Sequence, residues 1–184
     1  PRSTQGVWSA ASDVYKRQII INSERLTLKK IEQKDLKILI NHLNNWNVVK
    51  WLVNVPYPYK LIDAETWLDK SSKEELALNI YFKSILIGGI TIDKRTTNNS
   101  PVLGYWIGEE YWGNGYAIEA CNSLISYFFS NHSGNILYAS HMLKNEKSKK
   151  ILLNLGFQKV SEGNVFSISK NKEVEDVNYE LVNS

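Results

Sequence analysis

The chain has 184 residues, 43% of them hydrophobic, and a formal charge of +3, which suits one domain with a packed core and excludes a largely disordered polymer. Three basic residues (Arg2, Lys16, Arg17) and one acidic residue (Asp13) fall within residues 1–18, so the remainder is close to neutral and nothing in its balance calls for a nucleic-acid surface. The lone cysteine, Cys121, excludes an internal disulfide and any cysteine-rich metal site, and no metal is expected.

No apolar run approaches the roughly 20 residues of a membrane span, so no membrane partner and a cytoplasmic location are expected. Residues 1–18 lack periodicity and the continuous apolar core of a signal peptide, and are read as a non-native or disordered leader. The domain is expected over residues 19–184. It carries no repeat and no low-complexity tract.

From Ile19 to Ile31 alternation predicts a first strand, with Leu26 and Leu28 on one face and Arg25, Thr27 and Lys29 on the other. Leu36, Leu39, Ile40 and Leu43 keep helical spacing, and the pattern decays at Asn44-Asn45. Pro56-Tyr57-Pro58-Tyr59 enforces an extended connection to Asp63, an expected N-cap for a short helix carrying Ala64, Trp67 and Leu68. Leu76–Phe82 and Ile85–Asp93 predict a hairpin around Lys83-Ser84, with Gly88-Gly89 marking a bulge. A polar loop from Thr96 to Ser100 leads to a strand at Leu103–Ile107.

A helix from near Gly115 places Ala117, Cys121, Leu124, Ile125 and Phe128 on one stripe and ends around Asn131–Gly134. Ile136–Met142 follows as a strand and Lys147–Leu155 as a helix closed by Gly156. Phe157–Val160 and Val177–Val182 form a final strand pair. This order predicts an α/β fold with a mixed sheet. A doubly wound dinucleotide fold and a P-loop are both excluded, because G-x-G-x-x-G does not follow the first strand and no Gly-Lys-Ser/Thr follows the glycines.

The richest stretch runs from Gly104 to Ala120, where an apolar strand enters a glycine-rich turn and then a helix. Gly113 and Gly115 tolerate positive φ, and the first turn of the helix offers unpaired N–H groups at its positive dipole end. A pyrophosphate fits such a cradle.

Four blocks in this order resemble the GCN5-related N-acetyltransferases, specifically the branch of ribosomal-protein N-terminal acetyltransferases. They are Glu24-Arg25-Leu26-Thr27-Leu28, Gly104-Tyr105-Trp106-Ile107, Tyr111-Trp112-Gly113-Asn114-Gly115-Tyr116-Ala117-Ile118-Glu119-Ala120, and Asn145-Glu146-Lys147-Ser148 through Leu155-Gly156-Phe157. The resemblance implies a mostly antiparallel central sheet flanked by helices, with the fourth strand splayed from the fifth. It implies acetyl-CoA as co-substrate, its pyrophosphate at Trp112, Gly113, Asn114, Gly115, Tyr116 and Ala117. The family motif begins with Gln or Arg where this chain has Trp112. The cofactor arm is expected beside Trp106, Ile107 and Gly108, with Asn145 matching an asparagine that contacts it and Ser148 a serine that serves the departing sulfur. Asn145 is equally compatible with a helix N-cap, and Ser148 with a bond inside its own helix.

The implied reaction is acetyl transfer to a primary amine by direct attack in a ternary complex, the acceptor a protein N-terminus or small amine. An α-amine has a pKa near 8 and a lysine near 10.4, so a proton acceptor is required. Glu109 and Glu110, at the mouth of the cradle, are candidates and are also compatible with solvated turn carboxylates. His141 is a third candidate and is equally a structural histidine. Several relatives use a tyrosine four positions after the residue matching Ser148, where this chain has Leu152. Lys144, Lys147, Lys149 and Lys150 are expected near the cofactor's adenosine end or on a solvated helix face. The competing reading is a non-catalytic acyl-CoA-binding or regulatory module.

Overall fold

A computed structural model describes residues 19–95 and 98–183; the expected leader at residues 1–18, together with Thr96 and Thr97 of the polar loop, lies outside them. The first predicted strand is two. β1 (Ile21–Asn22) and β2 (Leu26–Lys29) pair antiparallel, because the Ser23 amide donates to the Leu26 carbonyl at 2.9 Å and turns the chain back on itself. α1 (Leu36–Leu43) buries Leu36, Leu39 and Leu43 on one stripe. The segment after Asn44-Asn45 forms an additional short helix, α2 (Trp46–Val49), whose N-cap Asn45 accepts from the Asn47 amide at 2.9 Å.

α3 (Leu61–Lys73) begins two residues before Asp63. Asp63 therefore sits in the first turn, its carboxylate accepting from the Lys60 amide at 2.7 Å, as the returning half of a capping arrangement rather than as the N-cap.

β3 (Ala77–Phe82) and β4 (Ile85–Lys94) make the expected hairpin, with Lys83 and Ser84 both at positive φ. The register slips between Ile80 and Tyr81, leaving Ile87 as the extra residue of β4. Gly88 and Gly89 follow that bulge and serve a different purpose. A Cβ at Gly88 would lie 2.3 Å from the Trp106 carbonyl oxygen and one at Gly89 2.5 Å from the Trp106 indole nitrogen, so the glycines let β5 (Pro101–Ile107) approach.

α4 (Tyr116–Asn131), β6 (Ile136–Met142), α5 (Glu146–Asn154), β7 (Gln158–Ser167) and β8 (Lys172–Val182) complete the described chain. The last two strands are longer than the apolar patterns at Phe157–Val160 and Val177–Val182, because their polar halves pair with each other as a projecting hairpin.

Eight strands, in the order β1-β2-β3-β4-β5-β6-β8-β7, form one sheet that is antiparallel except for β5 with β6. Period-two alternation divides β3 between two cores. Leu78 and Ile80 pack with Cys121, Leu124 and Phe128 of α4, whereas Tyr81 packs with Leu36, Leu39 and Leu43 of α1. Each fully buried leucine or isoleucine among these contributes roughly 2 kcal/mol of transfer free energy. Among the described residues no helix is long and apolar enough to cross a membrane.

The junction that positions the site is between β5 and β6. They pair only at Val102 with Tyr138 and Leu103 with Ala139, and beyond Leu103 the strands part. A parallel pair bound at one end and splayed at the other leaves a row of strand amides facing a gap.

Candidate active site

Alternation along β5 decides which backbone groups reach that gap. The Gly108 amide donates to the Ile87 carbonyl at 2.8 Å, and Trp106 lies opposite Gly89 in the same ladder. In an antiparallel pair every second residue spends its amide on its partner, so Gly108 and Trp106 face β4 and Tyr105 and Ile107 face the gap. Of the three residues expected beside a cofactor arm, only Ile107 thus presents its amide there. Its carbonyl accepts from the Trp112 indole nitrogen at 2.7 Å, which ties the following turn to the strand.

That turn runs from Gly108 through a 3-10 turn at Glu109–Tyr111 into Trp112-Gly113-Asn114-Gly115 and α4. Gly113 and Gly115 both have φ of +79°, a conformation that costs any other residue except asparagine or aspartate appreciable strain. The Asn114 side-chain amide donates to the carbonyls of Tyr111 and Trp112, both at 3.1 Å, which holds the loop open. The first intrahelical bond here is from Glu119 to Gly115 at 3.1 Å, so the amides of Tyr116, Ala117 and Ile118 point out of the helix end. A Cβ placed on Gly113 would meet nothing within 4 Å. Open space, positive-φ glycines and outward amides together fit a diphosphate.

A cation borders this cradle. The Arg25 guanidinium lies 4.7 Å from the centre of the Tyr116 ring and pairs with Glu119 at 2.6 Å. Glu119 also accepts from the Ser23 hydroxyl at 2.6 Å and the Arg25 amide at 2.8 Å. Burial by itself raises the Glu119 pKa, but these hydrogen bonds from Ser23 and Arg25 outweigh it and hold the carboxyl below its usual range. Arg25 and Glu119 both lie in matched sequence blocks, yet 94 residues separate them and no periodicity couples them.

Across the gap stands α5. Asn145 is its N-cap, accepting from the Ser148 amide at 3.2 Å. The Ser148 hydroxyl lies 2.8 Å from the Tyr105 hydroxyl, so a side chain from β5 and one from α5 meet across the splayed edge. Burial raises the Tyr105 phenol's pKa, the nearby Cys121 adds to this, and the bond to Ser148 opposes it, so the phenol stays protonated. Leu152 is fully buried. Tyr105 was hidden in sequence because an alternating strand assigns it a face but no partner.

The lysines of the α5 start separate. The Lys147 ammonium lies 4.2 Å from the centre of the Trp112 ring, Lys149 is 3.6 Å from Glu146, and Lys144 turns to a different cavity.

Of the three candidate proton acceptors, Glu109 is the one built in. Its two carboxylate oxygens accept from Asn45 at 2.5 Å and Asn47 at 2.9 Å, side chains supplied by α2 and its cap. Glu110 is exposed. His141 is buried on β6, with Nδ1 2.8 Å from the Met142 carbonyl and Nε2 3.0 Å from the Tyr179 hydroxyl. Both ring nitrogens are occupied, which withdraws His141 from the gap and makes it a core residue. Cys121 is also fully buried, and burial pushes its thiol up, away from the reactive thiolate.

This arrangement of splayed strands, glycine turn and helix end has a counterpart in known proteins. The acetyltransferase (GNAT) domain model matches residues 25–158. The chain belongs to the GNAT acetyltransferase family. Among relatives of this GNAT chain, the N-acetyltransferase p20 of Bacillus licheniformis is 29% identical over 147 residues, 74% of this chain and 81% of that protein. The ribosomal N-acetyltransferase YdaF of Bacillus subtilis, itself a putative assignment in name, is 27% identical over 144 residues, covering 73% and 79%.

A GNAT-family acetyltransferase from Bacillus anthracis superposes with a TM-score of 0.77 at 20% identity, covering 89% of this chain and 98% of that one. The microcin C7 self-immunity acetyltransferase MccE, solved with acetyl-CoA and AMP, gives 0.72 at 21% identity over 86% and 93%. These structures share the fold. Membership of the family makes this GNAT chain an acetyl-CoA-dependent N-acetyltransferase.

Proposed function

We propose that this enzyme acetylates a primary amine on a protein N-terminus or small molecule by direct attack within a ternary complex. The observation that carries the reading is the two-residue pairing of β5 with β6, which opens a gap ending at the Gly113–Gly115 cradle with an oriented carboxylate, Glu109, beside it. Acetyl-CoA supplies the thioester. The cradle amides of Gly113 to Ala117, with Arg25 alongside, hold its diphosphate, and the Ile107 amide is placed to stabilise negative charge developing on a carbonyl oxygen.

Glu109, directly or through one water, receives the proton that an ammonium must lose before it can attack. Asn45 and Asn47 fix the carboxylate's orientation. As the N–C bond forms and the C–S bond breaks, the Ser148 hydroxyl gives a proton to the leaving sulfur and is reprotonated through the Tyr105 phenol, while the proton that the nitrogen sheds to become an amide passes to solvent and restores the phenol. This pair supplies the proton that several relatives draw from a tyrosine at the helix position where Leu152 is buried here. Cys121, enclosed in the core, has no part.

Titration with acetyl-CoA by calorimetry tests the cradle. The parent is expected to bind, and Gly115→Val to lose at least tenfold in affinity, since a β-branched residue cannot hold φ of +79° without strain. Equal binding by a folded Gly115→Val protein rejects the placement. A panel of amines with free-thiol release as readout then separates turnover from binding alone.

A further inference from the structure

A second cavity, of about 590 Å³, lies against the end of the gap and takes no part in the cofactor reading. Its walls include Trp46 and Trp51, Met142 at the end of β6, Lys144 two residues on, Lys170 in the β7–β8 turn and Lys172 at the start of β8. It borders the reacting centre on two sides. Trp46 sits between Asn45 and Asn47, which hold Glu109, and Lys144 directly precedes Asn145 at the start of α5.

The cavity is basic in an unusual way. The Lys170 ammonium lies 5.1 Å from the centre of the Trp51 ring and Lys50 lies 5.6 Å from it, so one indole seats two cations. Lys170's hydrogen-bond partner is the Met142 sulfur at 3.3 Å, a weak acceptor. Burial lowers the Lys170 pKa, and repulsion from Lys172, Lys50 and Lys144 lowers it further. Among the described residues none of these four lysines has a carboxylate within 4.0 Å. Glu173 and Glu175 line the same cavity, but both are exposed and neither forms an ion pair with them. Three lysines lining a pocket, with Lys50 beside them and none of the four ion-paired, are arranged for an anion brought from outside.

We infer that the acceptor is an amine borne on an anionic molecule, whose carboxylate or phosphate group is held in this cavity by Lys170 and Lys172 while the amine reaches Glu109. The inference rests on the acetyltransferase reading and names its substrate class. The aromatic walls, Trp46 and Trp51, cover the apolar stem between amine and anion.

The test uses the whole chain and matched acceptors. Short peptides with a free α-amine carry aspartate, asparagine or lysine at the second and third positions; 2-aminoethyl phosphate is set against 2-aminoethanol. Free thiol is measured at low and high salt, with Lys170→Gln/Lys172→Gln compared with the parent. An anionic acceptor is expected to exceed its neutral match by about tenfold or more in kcat/KM, the advantage shrinking with salt. The peptide and phosphate arms tell a carboxylate source from a phosphate source. In the double variant that advantage is lost through KM, while the neutral acceptor and the acetyl-CoA Kd stay within about twofold.

Equal or better use of neutral or cationic acceptors overturns the inference, as does an anionic preference that survives the double substitution. If no amine in the panel is turned over, tryptophan fluorescence reads binding of the aspartate peptide and of 2-aminoethyl phosphate directly. Binding lost in the double variant supports the inference, and absence of binding by the parent rejects it. Failure of the acetyltransferase reading shows separately, as absence of acetyl-CoA binding by calorimetry.

Discussion

Tyr105 and Ser148 meet through a hydroxyl-to-hydroxyl contact of 2.8 Å, and their consequences for rate are expected to be joined. Ser148→Ala removes the hydroxyl proposed to protonate the leaving sulfur, and Tyr105→Phe removes the proton behind it while keeping the ring. Each single change is expected to lower kcat by about tenfold to a hundredfold, the scale of a general acid, and the double variant little further than the worse single one. Steady-state kinetics on the four proteins checks this; multiplicative losses would mean that the two hydroxyls act independently. At the same scale, His141 shows how a chemically capable side chain is withdrawn by its neighbours. Sequence presents it on an apolar strand, and only the Met142 carbonyl and Tyr179 hydroxyl, reached through strand pairing and packing, engage both of its nitrogens.

At the scale of elements, α4 carries both the cradle and the cluster that anchors it to β1 and β2. Glu119, in its first turn, accepts from Ser23 and twice from Arg25, and its carboxyl titrates lower in the folded protein than in the unfolded chain. A depressed carboxyl contributes stability that is present above its unfolded pKa and lost as pH falls through its folded pKa. Glu119→Gln is therefore expected to cost roughly 1 kcal/mol at neutral pH, with the difference from the parent closing as pH falls from the ordinary glutamate pKa of about 4.3 through the carboxyl's lower folded value. Urea denaturation across that range measures it, and a pH-independent difference would contradict the charge-based account. The macrodipole of α4 adds to the effect, since an anion in the first turn is favourably placed.

Element boundaries were legible where a local signal set them. The Lys83-Ser84 turn, the α4 stripe and Gly156 are such cases. The split of the first strand at Ser23, the four-residue α2 and the start of α3 before Asp63 were not legible, because contacts with other segments, rather than periodicity, decide them. α2 is the clearest example. Its four residues are too few for a helix to form alone, and it is held by Val48 and Val49 in the core and by the Asn45 and Asn47 bonds to Glu109.

For the whole molecule, the splay between β5 and β6 means that the proposed cofactor site lies between parts of the chain that are far apart in sequence: β5 and the cradle on one side, β6 and α5 on the other. A ligand that bridges them binds the folded state and not the unfolded one. Acetyl-CoA at a hundredfold excess over its Kd is expected to add about 2.7 kcal/mol of stability. For a domain of this size that raises Tm by roughly 5 to 10 °C, which differential scanning calorimetry detects. Coenzyme A fragments lacking the diphosphate should give a much smaller shift if the cradle supplies most of the grip.

Sequence alone determined the mixed α/β class, the family resemblance and the glycine turn before α4, because strands, helix stripes and a glycine turn are local patterns written in consecutive residues. The tertiary structure alone decided which amides of β5 face the gap, that Tyr105 backs Ser148, that Glu109 is oriented while His141 is enclosed, and that lysines from separate segments line one cavity. Each of these depends on register or on side chains brought together across long stretches of chain. A one-residue change of register reverses which face a strand residue occupies, and no local pattern records its partner across the sheet.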